Sequence, residues 1–158
     1  MLDWLPEAAA AVLAAVLAIT MHEAAHGYAA LALGDDTAKK AGRISLNPLR
    51  QVDTFGTLIL PGLMIAGQLL TIGQVQAVFG WAKPVPVDIW RLRNPRWGMV
   101  LVAAAGPTVN AFQAIVAALL VHAVVAGEGM LGPDLARYLV RFLALVMVAN
   151  LVLGLFNL

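Results

Sequence analysis

The residues whose types and spacing could do chemistry are His22, Glu23 and His26, which form the pattern H-E-x-x-H. On an α-helix, side chains four positions apart lie on one face, so both imidazoles can bind one divalent ion. Glu23 lies beside the first ligand, where its carboxylate can take a proton from the attacking water and pass it to a leaving amine. The pattern is typical of metalloproteases. It predicts one Zn2+ per chain, bound by His22 and His26, with Glu23 as the catalytic general base.

The same three residues could also fall at this spacing by chance, and in a soluble helix with exposed charges that alternative carries weight. Here the motif lies inside an otherwise apolar stretch. Ionisable side chains within membrane-spanning segments are energetically expensive and are candidates for functional sites by default. The setting therefore favours a metal site over coincidence.

The composition is that of an integral, multi-pass membrane protein in contact with the lipid bilayer. Of 158 residues, 61% are hydrophobic and 12% are charged, whereas an ordinary soluble domain has about 45–50% apolar and about 25% charged residues. The absence of cysteine excludes disulfides, thiolate zinc ligands and a cysteine nucleophile. A net charge of +1 without a long basic run makes nucleic acid an unexpected partner.

Apolar stretches long enough to cross a bilayer must position the motif, and a helix needs about 20 residues to do so. They lie at about residues 6–33, 55–72, 97–125 and 135–158. The second is interrupted by Pro61 and by several glycines, so it is either a kinked helix or a re-entrant piece. We predict an all-α polytopic membrane protein, a single domain over residues 1–158, with about four transmembrane helices and a possible re-entrant or short-strand segment between them.

The first span places His26 about 10 Å before its end near Leu33, so the metal should lie within the membrane but near one face. Residues 35–53 form a mixed-charge loop with room for a short strand. Prolines exclude a regular helix at 79–87 and favour extended backbone there. Extended segments at 42–48 and 83–87 could pair with an unwound substrate as an added strand.

Two further polar side chains lie on the third span. Asn110 follows a stretch of small residues, and it either makes an interhelical hydrogen bond or holds a carbonyl group of a substrate. The residues alone leave both roles open. His122 has no second histidine at ligand spacing, so we expect a packed or interfacial side chain.

Four motifs, in this order, resemble the site-2 protease family of intramembrane zinc metalloproteases. They are MHEAAHG at 21–27, GRISLNP at 42–48 followed by DTFGT at 53–57, GWAKPVP at 80–86, and GPTVN at 106–110. The similarity runs from about residue 4 to the last residue and follows the compact prokaryotic branch. It implies regulated intramembrane proteolysis of a membrane-protein substrate helix in a prokaryotic cell membrane. It also implies His22 and His26 as zinc ligands, Glu23 as general base and Asn110 near the scissile peptide.

The resemblance also implies a third zinc ligand, an aspartate in an L-D-G motif a few residues after a segment like 150–158. This sequence ends before that motif, so we expect it to be C-terminally incomplete, a piece of a longer protease. A catalytic zinc usually has three protein ligands and an open water position. The loop aspartates do not match the family position and are not assigned as ligands: Asp35, Asp36, Asp53, Asp88 and Asp134.

Two other functions remain open on the sequence. The absent third ligand suggests a catalytically inactive family member that binds transmembrane helices. The three histidines, His22, His26 and His122, together with the interrupted second span, suggest a metal-handling membrane protein. The second alternative predicts that Glu23→Gln leaves function intact and that metal crosses the bilayer.

Overall fold

The structure, a computed structural model, describes residues 5–157 except Val75, Ala77 and Phe79. Its α-helices are α1 (Leu5–Ala32), α2 (Thr37–Lys40), α3 (Leu60–Ile72), α4 (Pro95–Ala126), α5 (Glu128–Leu131) and α6 (Pro133–Phe156). A π-helical stretch, Thr54–Ile59, leads directly into α3, and 3-10 turns lie at Pro48–Arg50 and Ile89–Arg91. The described residues contain no strand, which confirms the predicted all-α class and leaves the possible short strand at 42–48 as loop and turn.

Four helical stretches are long and apolar enough to cross a membrane, as predicted. They are Pro6–Ala32, Thr54–Ile72, Pro95–Ala126 and Pro133–Phe156. Each lies within a few residues of the stretch predicted from hydrophobicity. By the length and composition of its helices, the chain is a multi-pass membrane protein.

Helices α1, α4 and α6 pack against one another as a three-helix bundle. Small residues let helix backbones approach closely, which favours packing in lipid, where no hydrophobic force drives helices together. Large apolar side chains such as Leu13, Leu101 and Leu151 point outward and are more than half exposed. The buried alanines and glycines are Ala14, Ala18, Ala24, Gly27 and Ala30 on α1, Gly98, Gly106, Ala114 and Ala117 on α4, and Ala136 on α6.

The second span changes helix type without breaking. Asp53 caps the π-helical stretch, since its carboxylate accepts the N–H of Gly56 at 2.7 Å. Pro61, just after the π-helical stretch, has no N–H to donate, and the carbonyl of Gly56, five residues before it, accepts the N–H of Trp81 at 3.1 Å. No side chain of α3 among those described is buried, so this span stands outside the three-helix bundle.

The end of α1 is tied to the segment that enters α4. Gly34 has a φ of +107°, which side-chain-bearing residues rarely adopt, and this ends the helix. The buried carboxylate of Asp35 accepts hydrogen bonds from the amide of Thr37 at 2.9 Å and from its hydroxyl at 2.5 Å. It also accepts the amide N–H of Asp88 at 2.8 Å. These bonds help to fix α1 relative to α4.

The same hydrogen bonds influence the protonation state of Asp35. Burial alone would raise the pKa of Asp35, but the hydrogen bonds from Thr37 and Asp88, together with the charge of Arg91, outweigh it. The pKa of Asp35 therefore lies below its ordinary value. A carboxylate with a lowered pKa stabilises the folded state above its unfolded pKa of about 3.9, and this stabilisation is lost as the pH falls through the folded-state pKa.

Replacing Asp35 by alanine should lower the free energy of unfolding by about 1–3 kcal/mol near neutral pH, because three partly buried donors on Thr37 and Asp88 lose their acceptor. Unfolding in mixed detergent micelles measures the change, and the difference from the wild type should shrink at acidic pH. Asp134→Ala is the control, since it removes only an exposed ion pair with Arg137 and should cost less than about 1 kcal/mol. Equal losses of unfolding free energy in Asp35→Ala and Asp134→Ala would contradict the stabilising role of Asp35.

Candidate metal centre

The two predicted ligands meet in α1. The imidazoles of His22 and His26 lie edge to face, with ring centroids 4.6 Å apart and an interplanar angle of 82°. Nε2 of His22 is 3.0 Å from Nε2 of His26. His22 is only 3% exposed, so the pair forms a largely enclosed centre at the predicted helical spacing.

The other ring nitrogen of each histidine is bound by α4. Nδ1 of His22 lies 3.0 Å from Oδ1 of Asn110, and Nδ1 of His26 lies 2.7 Å from the carbonyl oxygen of Val102. Both oxygens can only accept, so hydrogen on each Nδ1 satisfies both bonds, and this tautomer leaves a lone pair on each Nε2. Two facing lone pairs repel each other unless a cation lies between them. The donor set therefore fits a metal ion.

The donor spacing also agrees with zinc. Two nitrogens bound at about 2.0–2.1 Å to a tetrahedral zinc are about 3.3 Å apart, close to the 3.0 Å between the two Nε2 atoms. His22 and His26 can thus provide two ligands. Within the described part of the chain, no group of three or more His, Cys, Asp or Glu side chains could hold a metal.

The five aspartates considered from the sequence each bond to a neighbour at a turn, at a helix end or in an ion pair, and Asp134 lies in the first turn of α6 rather than in a loop. This agrees with leaving them unassigned as zinc ligands. Their partners are Thr37 and Asp88 for Asp35, Lys40 and Arg91 for Asp36, Gly56 for Asp53, Trp90 and Arg91 for Asp88, and Arg137 for Asp134.

Gly106 makes room for the two imidazoles. A Cβ atom at this position would lie 2.5 Å from Nε2 of His26, 2.5 Å from Cε1 of His22 and 2.6 Å from Nε2 of His22. These distances are shorter than real Cβ contacts, so a side chain here would displace the rings. From the sequence, Gly106 was identified only as part of the GPTVN motif at 106–110, and its role in making room for the two rings was not predicted.

One face of α4 holds the histidine pair. Val102, Gly106 and Asn110 follow one another at four-residue intervals and therefore share a face; we call these three residues the α4 cradle. Val102 contacts His26 and Asn110 contacts His22. The order along the two helices is therefore reversed, and α1 and α4 run antiparallel at the site. In the sequence, the signal for this contact is that His22 and His26 are four positions apart, as are Gly106 and Asn110 of the GPTVN motif.

Asn110 is fully buried and has partners on both sides. Its Oδ1 faces His22, and its Nδ2 donates to the backbone carbonyl of Asn150 in α6 at 3.4 Å. The interhelical hydrogen bond, one of the two roles considered from the sequence, is therefore present. Contact between Asn110 and a substrate stays a prediction.

Glu23 reaches the extended segment that precedes α4. Its Oε2 accepts the N–H of Val85 at 3.1 Å. In the same segment, Lys83 donates its N–H to the carbonyl of Gln51 at 2.8 Å, and the intervening Pro84 has no N–H to donate. The described residues between 76 and 88 form no helix, as the proline pattern predicted.

A mostly apolar cavity of about 420 Å³ leads towards Glu23. One wall is formed by α1, including Val16 and Thr20, which precede Glu23 by seven and three residues and share its face. The opposite wall includes Trp81, and this segment continues to Val85, which binds Glu23. The cavity therefore lies on the face of α1 that carries Glu23.

His122 lies apart from the paired histidines. It is exposed on α4, roughly 18 Å along the helix from Asn110. Its Nδ1 lies 2.8 Å from the carbonyl oxygen of Ala118 in its own helix. The third histidine therefore adds no support to a metal-handling function.

Comparison with known proteins supports a relationship to proteases. No protein-family model matches the chain, and no solved structure matches it. The chain is 41% identical over 150 residues to a Bacillus subtilis (strain 168) protein named "Putative zinc metalloprotease YwhC". The match covers 93% of this chain and 61% of that relative, so the chain spans less than two thirds of the relative's length. The name of the relative agrees with zinc and with peptidase chemistry.

Proposed function

We propose that the chain is the core of an intramembrane zinc metalloprotease of the site-2 type, acting on the transmembrane helix of a membrane-protein substrate in a prokaryotic cell membrane. The observation that carries the proposal is the pair of Nε2 atoms of His22 and His26, 3.0 Å apart and next in sequence to Glu23. The location of this pair within an apolar helix bundle and the similarity to a protein named as a zinc metalloprotease both support it.

His22 and His26 hold the zinc ion in this proposal. When bound, zinc polarises the scissile carbonyl and lowers the pKa of water towards about 7. Catalytic zinc usually has three protein ligands, and the site-2 protease resemblance implies an aspartate as the third.

Glu23 is the proposed general base. Its carboxylate takes a proton from the attacking water and delivers it to the leaving amine. The hydrogen bond from the N–H of Val85 restricts the orientation of this carboxylate before the substrate arrives. The extended segment thus contributes to catalysis by positioning Glu23.

The apolar cavity on the Glu23 face of α1 suits an extended apolar peptide. A helix shields its carbonyl groups, so a substrate helix must unwind locally before hydrolysis. The N–H groups of Lys83 and Val85 are already bonded within the protein. A substrate strand paired at this segment would therefore use the carbonyl groups of Pro84 and Pro86, which is a narrower form of the strand pairing considered from the sequence.

One observation favours the rival of a catalytically inactive protein that binds transmembrane helices. It is the lack of a third metal-ligating side chain near the histidines among the residues that the structure describes. A cleavage assay separates this rival from the protease, because both bind a substrate helix but only the protease hydrolyses it.

Glu23→Gln tests the proposal with little change in geometry. Glutamine keeps an oxygen that can accept the N–H of Val85, but its amide cannot act as a base. We expect cleavage of a reporter protein with a single apolar helix to fall at least about 100-fold, with unchanged zinc content by elemental analysis. His122→Gln, at the exposed histidine, should retain the full rate.

Other outcomes would decide against the proposal. A wild-type chain that contains zinc but leaves the reporter helix intact would contradict hydrolysis and support the inactive helix-binding protein. Equal cleavage by the wild type and Glu23→Gln would remove Glu23 as the base. Transfer of zinc across sealed vesicles by both proteins would support the metal-handling alternative.

A further inference from the structure

We propose that Asn110 is a positioning residue that holds the His22 imidazole in the tautomer with hydrogen on Nδ1 and so keeps its Nε2 free for a metal ion. The inference rests on the proposed function for the identity of the site. The tautomer itself can be observed without metal.

Two tautomeric arrangements compete in the histidine pair. In the open arrangement, both Nδ1 atoms carry hydrogen and both Nε2 lone pairs face each other at 3.0 Å. In the closed arrangement, His22 carries its hydrogen on Nε2 and donates it to Nε2 of His26, at a normal hydrogen-bond distance. In the closed arrangement the two Nε2 atoms are joined by a hydrogen bond, and Nε2 of His22 has no lone pair for a metal. Without help from its surroundings, the pair would favour the closed arrangement.

Asn110 shifts this balance to the open arrangement. Its Oδ1, 3.0 Å from Nδ1 of His22, can only accept a hydrogen bond, so it requires hydrogen on Nδ1. Flipping the amide would turn its NH2 group towards Nδ1 and stabilise the closed pair instead. The backbone carbonyl of Gly106 also bonds to the His22 ring, and the orientation of the Asn110 amide shifts the balance between the two tautomers.

The backbone carbonyl of Asn150 opposes the flip. It lies 3.4 Å from Nδ2 of Asn110 and accepts a hydrogen bond from it. After a flip, two oxygens would face each other at a side chain that is 0% exposed. Water could not compensate there, and a buried polar atom without a partner is costly. Helix α6 thus fixes the amide on α4 that orients the histidine on α1.

His26 is held in the matching way by a group that cannot flip. Its Nδ1 lies 2.7 Å from the backbone carbonyl oxygen of Val102, which can only accept. The tautomer of His26 therefore follows from the backbone of α4, whereas that of His22 depends on the Asn110 side chain as well as on the backbone carbonyl of Gly106. Substitution of Asn110 should change His22 and leave His26 unaffected.

Long-range nitrogen–proton NMR of metal-free protein labelled with 15N-histidine reads these tautomers directly. The His122→Gln background removes the third histidine signal, since the chain has three histidines. We expect hydrogen on Nδ1 of both remaining histidines, and in Asn110→Leu a shift to Nε2 for His22 alone. Hydrogen on Nε2 of His22 with Asn110 intact would overturn the proposal, whether or not the leucine variant folds.

Cobalt(II) titration gives the second readout. Asn110→Leu should weaken cobalt binding about 10–100-fold, as loss of a residue that orients a metal ligand typically does. Asn110→Asp keeps an acceptor for Nδ1 of His22 and should stay within about 3-fold of the wild type. Asn157→Leu is the matched control, because that exposed amide bonds to the carbonyl of Leu153 in its own helix, and it should leave affinity unchanged.

The two measurements distinguish failure of the inference from failure of the proposed function. Unchanged cobalt affinity in Asn110→Leu, or equal losses in the leucine and aspartate variants, would overturn the positioning role. A wild-type protein that binds no cobalt would contradict the metal site, and the NMR tautomers would still decide what Asn110 does to His22.

Discussion

Gly106→Ala is expected to weaken metal binding about 100-fold while leaving the helix bundle folded. The new Cβ would lie 2.5 Å from an atom of each imidazole, so both rings must turn away. Turning breaks their Nδ1 hydrogen bonds to Asn110 and Val102, and the two Nε2 atoms no longer converge. Folding should survive, because the displaced atoms are side-chain ends and alanine is the better helix former by up to about 1 kcal/mol. Zinc competition and thermal unfolding measure the two effects.

Gly67→Ala is the control for this substitution. It makes the same change inside a helix, α3, but a Cβ there meets no atom within 4 Å. Its metal affinity should equal that of the wild type. Wild-type affinity in Gly106→Ala would contradict the close approach of α4 to the histidine rings.

His22→Ala and His26→Ala should each reduce bound zinc to the background of the measurement. One imidazole cannot enclose the ion, so the double variant should lose no more than either single variant, and the two losses should be non-additive. Elemental analysis of detergent-purified protein gives zinc per chain. His122→Ala, which removes the exposed histidine away from the centre, should keep the wild-type amount.

Two results would count against this centre. Zinc retained in His22→Ala would mean that the metal binds elsewhere. Zinc absent from the wild type as well would mean that these 158 residues do not hold the ion on two histidines.

The histidine geometry was predictable because it lies within one helix. Four residues of helix place His22 and His26 side by side whatever else the chain does. The spans were predictable for a similar reason, since length and hydrophobicity suffice to identify a membrane-crossing helix. Short elements such as α2 and α5 were missed because a four-residue helix carries no such signal.

The α4 cradle was not predictable in the same way. The sequence shows that Gly106 is small and that Asn110 is polar, but their roles depend on which helices touch and at what axial offset. Asp35 illustrates the same limit. It was considered from its charge alone, whereas its burial and its bonds to Thr37 and Asp88 arise only when two distant segments meet.

The equal spacing of residues on α1 and α4 constrains chain length as well as residue identity. One residue inserted between Gly106 and Asn110 would rotate Asn110 by about 100° and shift it by about 1.5 Å. It would then miss His22, although every original side chain was still present. Within 22–26 and 102–110, insertions and deletions should therefore be excluded even where substitutions are tolerated. In the loops that join these helices, changes of length leave this alignment intact.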